Sequence, residues 1–234
     1  MKVDLHVHIN RASRCARQEP EEAAKEAVKQ GIDAIAMLDH HYYPTANDLE
    51  KARQAAPELI ILRAMEITVQ GNGGSNDIVL VCPKCPPNIG FHKDKVPESQ
   101  LPEIGKFLQK NGGFSILAHP FRKHKPIYVD ICECTPDCIE IASRSTPPER
   151  RNNIAEIALL HKMVCVSSSD AHKTYHIGKY CIEFDGGNEL KKAILKSVTP
   201  AEIVMADLIK KRQFNLLEKR LAPVENFPRN PKAS

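Results

Sequence analysis

Short apolar runs alternate with amphipathic segments along most of this chain. Each run is four to nine residues long, is rich in Val, Ile and Leu, and has the tight boundaries that are typical of buried strands. The strand-like runs are Val3–Val7, Ala34–Leu38, Leu59–Ile67, Ile78–Cys82, Phe114–Ala118, Ile139–Ala142 and Met163–Ser167.

Helical periodicity fills the intervals between these runs. Gly31 and Gly112 stand where helices commonly end, because glycine readily adopts the left-handed conformation of a helix C-terminus. Strands that alternate with helices favour parallel βαβ units and therefore an α/β fold. The predicted helices lie near Pro20–Gln30, Asn47–Ala56, Ser99–Asn111 and Glu149–His161.

The C-terminal part has a different pattern. Thr199 and Pro200 suit the N-cap and first position of a helix, and apolar residues at helical spacing predict that it runs to about Leu221. Its other faces are basic, and such a helix either packs on the domain or contacts RNA or a protein partner. We therefore expect an α/β domain over residues 1–198 and a basic C-terminal helix and tail over residues 199–234.

The composition limits the function classes. Hydrophobic residues make up 42% of the 234 residues, which is enough for a sizeable core. No apolar run approaches the roughly 18 residues of a membrane helix. The polar start of the chain does not resemble a signal peptide, so we expect a cytoplasmic protein with no membrane partner. The net charge of +4 is too small to indicate nucleic-acid binding by itself.

Eight cysteines raise the question of a second kind of site. A chain of this length without a leader does not suggest a disulfide scaffold. The pairs Cys82/Cys85 and Cys132/Cys134 have spacings that a structural zinc could use. Reduced, partly buried thiols are the favoured interpretation, because one C-x-x-C motif is a weak signal.

Histidines and carboxylates gather at the ends of the strand-like runs. In an α/β barrel the carboxyl ends of the strands meet at one mouth, so residues far apart in sequence become neighbours there. A single histidine is usually a hydrogen-bonded core or surface residue, but five such clusters together indicate a metal site. The clusters are Asp4–His8, Asp39–His41, Glu66–Thr68, Ala118–Pro120 and Ser169–His172.

Two of these clusters have the spacing of a metal-binding pair. His6 and His8 are two residues apart, so both side chains point to the same side of a strand and can bind one ion. Asp170 and His172 have the same spacing. Imidazole nitrogens mixed with carboxylate oxygens suit Zn, Mn or Fe better than Mg or Ca.

The H-x-H, D-H, E, H-P and S-D-x-H motifs, in this order, resemble those of the PHP (polymerase and histidinol phosphatase) superfamily. The resemblance spans about Lys2 to Gly178, which is most of the chain. It implies a distorted seven-stranded β/α barrel of the TIM-like type, with a metal site at the carboxyl ends of the strands. It also implies phosphoesterase activity.

The resemblance further implies the ligands of the metals. Two ions that share one carboxylate can activate a water and contact both the attacking and the leaving oxygen of a phosphoryl group, so no Ser or Cys nucleophile is required. Catalysis is then expected to depend most on Glu66, Asp170 and His119. The implied ligands are His6, His8, Glu66 and Asp170 for a first metal, Glu66 and His119 for a second, and His40 and His172 for a third.

Two positions depart from the family pattern. Relatives often carry a His about eleven positions after the Glu, and here Asp77 stands there and can bind the second metal. They also often carry an acidic residue or His about five positions after the second His of the first motif, where this chain has Ser13 and Arg14. We therefore expect two tightly held divalent transition-metal ions (Zn, Mn or Fe), with a third possible only at high metal concentration.

Basic residues near the implied ligands are candidates for phosphate binding. Arg122 follows His119 closely, and a guanidinium can bind a phosphate through two parallel hydrogen bonds. Arg14 and Arg144 are candidates of the same kind. Arg14 could also place a fixed positive charge where a third ion is missing.

These patterns together predict a metal-dependent phosphoesterase that hydrolyses a phosphate ester of a small molecule or nucleotide with a metal-activated water. One alternative is a nuclease acting on nucleic-acid ends, which needs a basic track to the mouth. The other is a non-catalytic PHP-like module that binds a partner through its basic C-terminal helix. The nearly complete set of ligand types argues against the non-catalytic module. The patterns predict neither the substrate nor the oligomeric state.

Overall fold

The computed structural model describes residues 1–12, 15–87 and 95–218, and these contain ten strands. Each of the seven predicted strand runs coincides with one of them, whereas β5, β9 and β10 were not predicted. The strands are β1 (Lys2–His8), β2 (Ala34–Leu38), β3 (Ile60–Gly71), β4 (Gly74–Val81), β5 (Val96–Pro97), β6 (Phe114–Leu117), β7 (Cys138–Ala142), β8 (Val164–Ser167), β9 (Tyr180–Phe184) and β10 (Phe214–Glu218).

The strands form one sheet that curves into a nearly closed barrel. Its order is β10-β9-β1-β2-β3-β4-β6-β7-β8, with β5 beside β3. The chain beyond β8 returns to β1, where Ala171 forms a parallel bridge with Val7. Ser167 Oγ donates a hydrogen bond to the carbonyl of Leu217 at 3.3 Å, which ties β8 to β10. The predicted distorted α/β barrel is confirmed.

The strand directions correct the expectation of seven strands in parallel βαβ units. β4 is antiparallel to both β3 and β6, and β9 and β10 are antiparallel additions beside β1. Only two residues separate β3 from β4, and so short a connection makes a hairpin, not a crossover helix. Because β4 runs in the opposite direction, Asp77 in its first half lies opposite Thr68 of β3, just beyond Glu66.

The helices pack against the outside and the base of the barrel. The four predicted helices are confirmed to within two residues at each end. None of the helices in the described ranges combines the length and hydrophobicity that a membrane span needs. They are α1 (Pro20–Lys29), α2 (Ala46–Ala55), α3 (Leu101–Lys110), α4 (Arg151–Leu160), α5 (Gly187–Lys196) and α6 (Ala201–Lys210), with 3-10 turns at Glu98–Gln100, Arg122–His124, Pro148–Arg150 and Thr174–His176.

The C-terminal segment is partly helix and partly strand. The predicted helix begins one residue later than expected, at Ala201 with Pro200 as its N-cap, and it ends at Lys210 instead of near Leu221. Arg212 has a left-handed φ of 54°, and Phe214–Glu218 then pair with β9. A short apolar run fits either a strand or a helix, so periodicity misassigned it. The predicted division after residue 198 therefore cuts through one sheet, and residues 219–234 lie outside the described ranges.

Alternate residues of the strands point into the barrel and form its inner core. On β3 this face includes Leu62 and Ala64, and its next position is Glu66. On β2 it includes Leu38, and the next position is His40. Polar side chains therefore replace the apolar core at one end of the barrel, which we call the mouth.

Strand β1 reaches the mouth through an irregularity. Its register with β2 shifts between Asp4 and Val7. Such a bulge reverses the alternation of side chains. Leu5 consequently belongs to the inner core, while His6 and His8 also point inward at the mouth.

Candidate metal centre

Glu66 lies at the centre of the mouth, where four imidazoles surround its buried carboxylate. Its Oε1 atom is 3.0 Å from His119 Nε2 and 3.5 Å from His6 Nε2. Its Oε2 atom is 3.2 Å from His8 Nε2 and 3.0 Å from His40 Nδ1. The two oxygens thus face two different pairs of histidines, which is the arrangement that a carboxylate shared by two ions needs.

Asp170 completes the group around His6 and His8. The Nε2 atoms of these two histidines are 3.0 Å apart, and Asp170 Oδ1 lies 3.6 Å from each of them. Asp170 has a φ of 50°, a conformation that is uncommon outside glycine and often marks a functional position. The structure therefore brings together the four residues that were predicted to hold the first metal.

His119 and Asp77 form a second group with Glu66. One donor atom from each of the three residues lies within 4.8 Å of the others. His119 Nε2 is 3.9 Å from Asp77 Oδ2, and Thr68 Oγ1 donates a hydrogen bond to Asp77 Oδ1 at 2.7 Å. The aspartate that stands where relatives often carry a histidine therefore still places a donor at the second predicted position.

His40 and His172 lie beside His8 on the outer side of the cluster. The ring centroids of His8 and His172 are 4.1 Å apart, and those of His8 and His40 are 4.7 Å apart. The Cys15 thiol joins them, and the four donor atoms all lie within 4.8 Å of one another. Cys15 is therefore a further donor beside His40 and His172, in a region where the family pattern pointed only to Ser13 and Arg14. The family pattern does not indicate Cys15, because this residue stands seven positions after His8 and the pattern places a ligand about five positions after it.

Glu140 is a buried carboxylate that positions two of the ligands, and the sequence motifs did not reveal it. Its Oε1 is 2.8 Å from His6 Nδ1, and its Oε2 accepts a hydrogen bond from the backbone N–H of His119 at 2.7 Å. The Ser168 hydroxyl also donates to it. A carboxylate at Nδ1 holds the proton there and leaves Nε2 available for a metal. The available signal was an acidic residue inside the apolar run Cys138–Ala142.

Asp4 ties the loop that carries Asp170 to strand β1. Its carboxylate is fully buried and accepts hydrogen bonds from the backbone N–H groups of Ser169 and Gly178, both at 2.9 Å. Burial raises the pKa of Asp4 to about 6, despite these stabilising hydrogen bonds. Asp4 thus has a structural role beneath the metal-type residues.

Opposite charges stabilise one another in the buried cluster. Burial lowers the pKa of His8, but the nearby carboxylates, Asp170 first, outweigh this effect and raise it to about 10. Burial likewise opposes the effect of Glu66 on His40, whose pKa rises to about 11. Burial raises the pKa of Glu66, yet the His6 and His40 imidazoles hold it well below its usual value. Without an ion, the His8 and His40 rings therefore carry protons at neutral pH.

Metal binding should release protons from this cluster. At pH 7 the raised pKa values of about 10 for His8 and about 11 for His40 keep both rings protonated, and a ligating ring nitrogen must lose its proton. We expect proton release on metal addition and weaker binding as the pH falls, because protons then compete more strongly. Calorimetric titrations in buffers of different ionisation enthalpy measure this release. Replacement of the exposed His124 should not change it, and metal binding without proton release would contradict the assignment.

The donor set fits divalent ions. Among the described residues, no contact to Glu66 Oε2 or Asp170 Oδ1 has the geometry of a hydrogen bond, although both atoms are buried and face imidazole nitrogens at 3.0–3.6 Å. A buried carboxylate oxygen without a donor is unfavourable, and a bound cation removes that cost. Imidazole and carboxylate ligands together suit Zn²⁺, Mn²⁺ and Fe²⁺.

Arg122 lies at the edge of the mouth, next to the second group. Its Nη1 atom is 4.0 Å from Asp77 Oδ2, and the side chain is 38% exposed. The guanidinium is thus close to the metal-type residues and accessible to a ligand from solvent. Arg144 is exposed in the loop after β7, and the predicted contact of Arg14 lies outside the described residues.

The cysteine pairs Cys82/Cys85 and Cys132/Cys134 do not form a metal site within the described ranges. None of the groups of three or more clustered metal-type donors there contains any of these four residues. Cys82 is buried in the apolar core, and none of the eight cysteines, all of which lie in the described ranges, forms a disulfide. Of these four thiols, Cys82 is buried, Cys85 and Cys134 are half-buried and Cys132 is exposed.

This barrel is similar to one family model and to several solved structures. A family model described as PHP-associated matches residues 148–203. A search of curated protein sequences gives no significant match. Among solved structures, a protein of Bifidobacterium adolescentis assigned as a metal-dependent phosphoesterase has a TM-score of 0.56 at 15% identity, covering 74% of this chain and 88% of its own.

Two further solved structures have the same fold. One is a two-domain protein of Bacteroides vulgatus with a predicted PHP-like metal-dependent phosphoesterase, at a TM-score of 0.61 and 16% identity, covering 93% of this chain and 64% of its own. The other is an amidohydrolase of Chromobacterium violaceum with bound sulfate and no metal. It has a TM-score of 0.56 at 16% identity, covering 94% of this chain and 99% of its own.

The structure has the distorted barrel of PHP-type folds. The buried cluster of histidines and carboxylates at its mouth is a candidate metal centre. The PHP-associated match over residues 148–203 and the fold of the solved neighbours are similarities to the superfamily that the sequence motifs indicated. The solved neighbours show the fold, and the donor cluster at the mouth could hold metal ions.

Proposed function

We propose that this protein is a metal-dependent phosphoesterase that hydrolyses a phosphate ester of a small molecule or a nucleotide. The observation that carries the proposal is the position of Glu66, which belongs to two adjacent donor groups at the barrel mouth. Two solved neighbours with this fold are described as metal-dependent phosphoesterases, which supports the reaction class.

The side chains at the mouth have separable roles in this proposal. His6, His8, Glu66 and Asp170 would hold one ion, and Glu66, with His119 and Asp77, would hold a second. When bound, such ions lower the pKa of water towards neutrality and neutralise negative charge on a phosphoryl group. The protein contributes a mostly buried ligand set, in which hydrogen bonds such as that between His6 and Glu140 orient the ligands.

Arg122 is the proposed contact for the substrate phosphate. Arg122→Ala should leave the metal content unchanged and lower kcat/KM by about 2 kcal/mol, or roughly 30-fold, because one charge-assisted contact is lost. Elemental analysis and steady-state kinetics measure the two effects. Lys123→Ala is the matched control, since Lys123 is the exposed neighbour in the same turn and should be nearly silent. Unchanged kinetics in a metal-replete Arg122→Ala protein would exclude the contact.

Reconstitution tests the function directly. The metal-free protein should be inactive, and addition of Zn²⁺, Mn²⁺ or Fe²⁺ should restore hydrolysis within a panel of phosphomonoesters, nucleotides and phosphodiesters. The panel also needs amide substrates, because one neighbour with this fold is an amidohydrolase. Less than one bound ion per chain, with no ester hydrolysed, would reject the proposal. Hydrolysis of amides alone would change the reaction class.

A basic surface beside the mouth favours a second candidate, a nuclease acting on nucleic-acid ends. Lys173 and Lys179 lie over the ring of Tyr175, at 5.5 and 5.1 Å from its centroid, and the ring is 54% exposed. Burial, and then the positive charge of Arg144, lower the pKa of the adjacent His176 to about 4. An exposed aromatic ring among cations suits a stacked base next to a phosphate. Cleavage of oligonucleotides without activity on monoesters would favour this candidate.

A further inference from the structure

A thiol belongs to the outermost donor group at the mouth. Cys15 Sγ and one ring nitrogen each of His8, His40 and His172 all lie within 4.8 Å of one another. The three histidines come from the end of β1, the residue two positions after β2, and the loop after β8. Cys15 comes from the connection between β1 and α1, so four separate parts of the chain converge on this point.

Two contacts fasten the chain just after Cys15 beside two of these histidines. The backbone N–H of Arg17 donates to the carbonyl of His172 at 3.1 Å. The buried side-chain amide of Gln18 donates to the carbonyl of His8 at 2.6 Å. The residues two and three positions beyond the thiol are therefore bonded to the backbone of two of its partners.

The chain before Cys15 is fastened beside the third histidine. Asp39 Oδ2 accepts hydrogen bonds from the backbone N–H groups of Arg11 and Ala12, at 3.2 and 2.8 Å. Asp39 directly precedes His40, and its Oδ1 accepts from the backbone N–H of that residue at 2.7 Å. The Arg11 guanidinium forms a further ion pair with Asp48 at 2.6 Å. The connection is thus anchored on both sides of the cysteine.

We propose that Cys15 is a thiolate ligand of a third divalent ion, which His40 and His172 also bind. The inference rests on the metal centre of the proposed function but is independent of its substrate. A thiolate adds negative charge to two neutral imidazoles and changes which metals are preferred. Sulfur is a soft ligand, so this position should favour Zn²⁺, Co²⁺ or Fe²⁺ over Mn²⁺ and Mg²⁺. The third position would then differ in metal preference from the nitrogen and oxygen groups next to it.

Cobalt provides a test that reports the bond to sulfur and not only activity. The metal-free full-length protein is titrated with Co²⁺, while near-ultraviolet absorption records thiolate-to-cobalt charge transfer and elemental analysis counts bound ions. The wild type should bind three equivalents and show the charge-transfer band. Cys15→Ala and Cys15→Ser should lack the band and lose one equivalent. Cys132→Ser is the matched control, because Cys132 is exposed and belongs to none of the donor groups.

A hard ligand at the same position sharpens the test. Cys15→Asp should restore the third equivalent without the band, and it should shift the preference of that site from Zn²⁺ towards Mn²⁺. A band that persists in Cys15→Ala, or an unchanged number of ions in that variant, would overturn the inference. A wild type that hydrolyses phosphate esters with two ions and no band would leave the proposed function intact and reject only the third site. A charge-transfer band in a protein that hydrolyses no ester would support the third site and reject the proposed function.

Discussion

Replacing Glu66 with glutamine is expected to disrupt the metal centre more than any other single substitution. The amide is isosteric, but it removes the negative charge and converts one of two shared acceptor atoms into a donor. Each carboxylate oxygen faces two imidazole nitrogens at 3.0–3.5 Å. The amide NH2 group of glutamine is a hydrogen-bond donor, and in place of either oxygen it would face imidazoles that are donors themselves. We expect loss of at least one bound ion and a decrease in kcat/KM of at least about 10³-fold, because both ions lose a common ligand.

A second buried glutamate provides the control for this variant. Glu202 is 6% exposed, accepts a hydrogen bond from the backbone N–H of Arg63 at 2.8 Å, and belongs to none of the clustered metal-type donor groups. Glu202→Gln should lower the unfolding temperature but keep the number of bound ions. Metal analysis and thermal unfolding of both variants separate the two effects. A Glu66→Gln protein that still binds its full complement of ions would show that this carboxylate is not shared.

The inward face of the barrel could be predicted from the sequence because strand alternation has a fixed period. Glu66 and His40 continue the apolar positions Ala64 and Leu38, so their direction followed once the strands were assigned. The apolar pattern also led to the prediction of a parallel sheet and did not reveal that β4 is antiparallel. A hairpin joined by two residues does not change the apolar pattern of its strands. The position of Asp77 was therefore predicted from the family motif and explained only by the strand direction.

Residues in loops were harder to predict than residues in strands. His119 and Asp170 have left-handed φ values of 29° and 50°, and the two-residue period gives no information about side chains there. Their roles came from the motif, and the structure supplies the reason that they fit. Cys15 belongs to no motif, and it reaches the mouth through contacts made by its chain neighbours, such as Arg17 to His172. Contacts of this kind depend on tertiary packing and leave no local pattern.

Glu140 illustrates a different reason for an incomplete prediction. It lies two residues after Cys138, whose side chain belongs to the inner core, so its inward direction followed from the strand period. Its role did not follow, because a positioning carboxylate is recognised only by the ligands it contacts. Those ligands, His6 and His119, lie on other strands or loops and become its neighbours only when the barrel closes.

Glu140→Gln is therefore expected to weaken metal binding without removing any ligand. The carboxylate accepts hydrogen bonds from the His6 ring and the His119 backbone through different oxygens, whereas an amide has only one acceptor oxygen. One of the two donors must then face an N–H group, which either tilts the His6 ring or moves the backbone at His119. Loss of such a partner typically costs about 10–100-fold in metal affinity, so an effect on both ligands would approach roughly 10³-fold.

The measurement must distinguish this positioning role from a general loss of stability. Competition with a chromogenic chelator gives the metal affinity, and denaturant unfolding of the metal-free protein gives the free energy of unfolding. Glu140→Gln should change both quantities, whereas the Glu202→Gln control should change only the second. Ser168→Ala removes one donor to Glu140 but leaves the carboxylate in place, so its effect on affinity should be much smaller. If Glu140→Gln lost stability but kept wild-type metal affinity, the carboxylate would be a structural element of the barrel and would not orient the ligands.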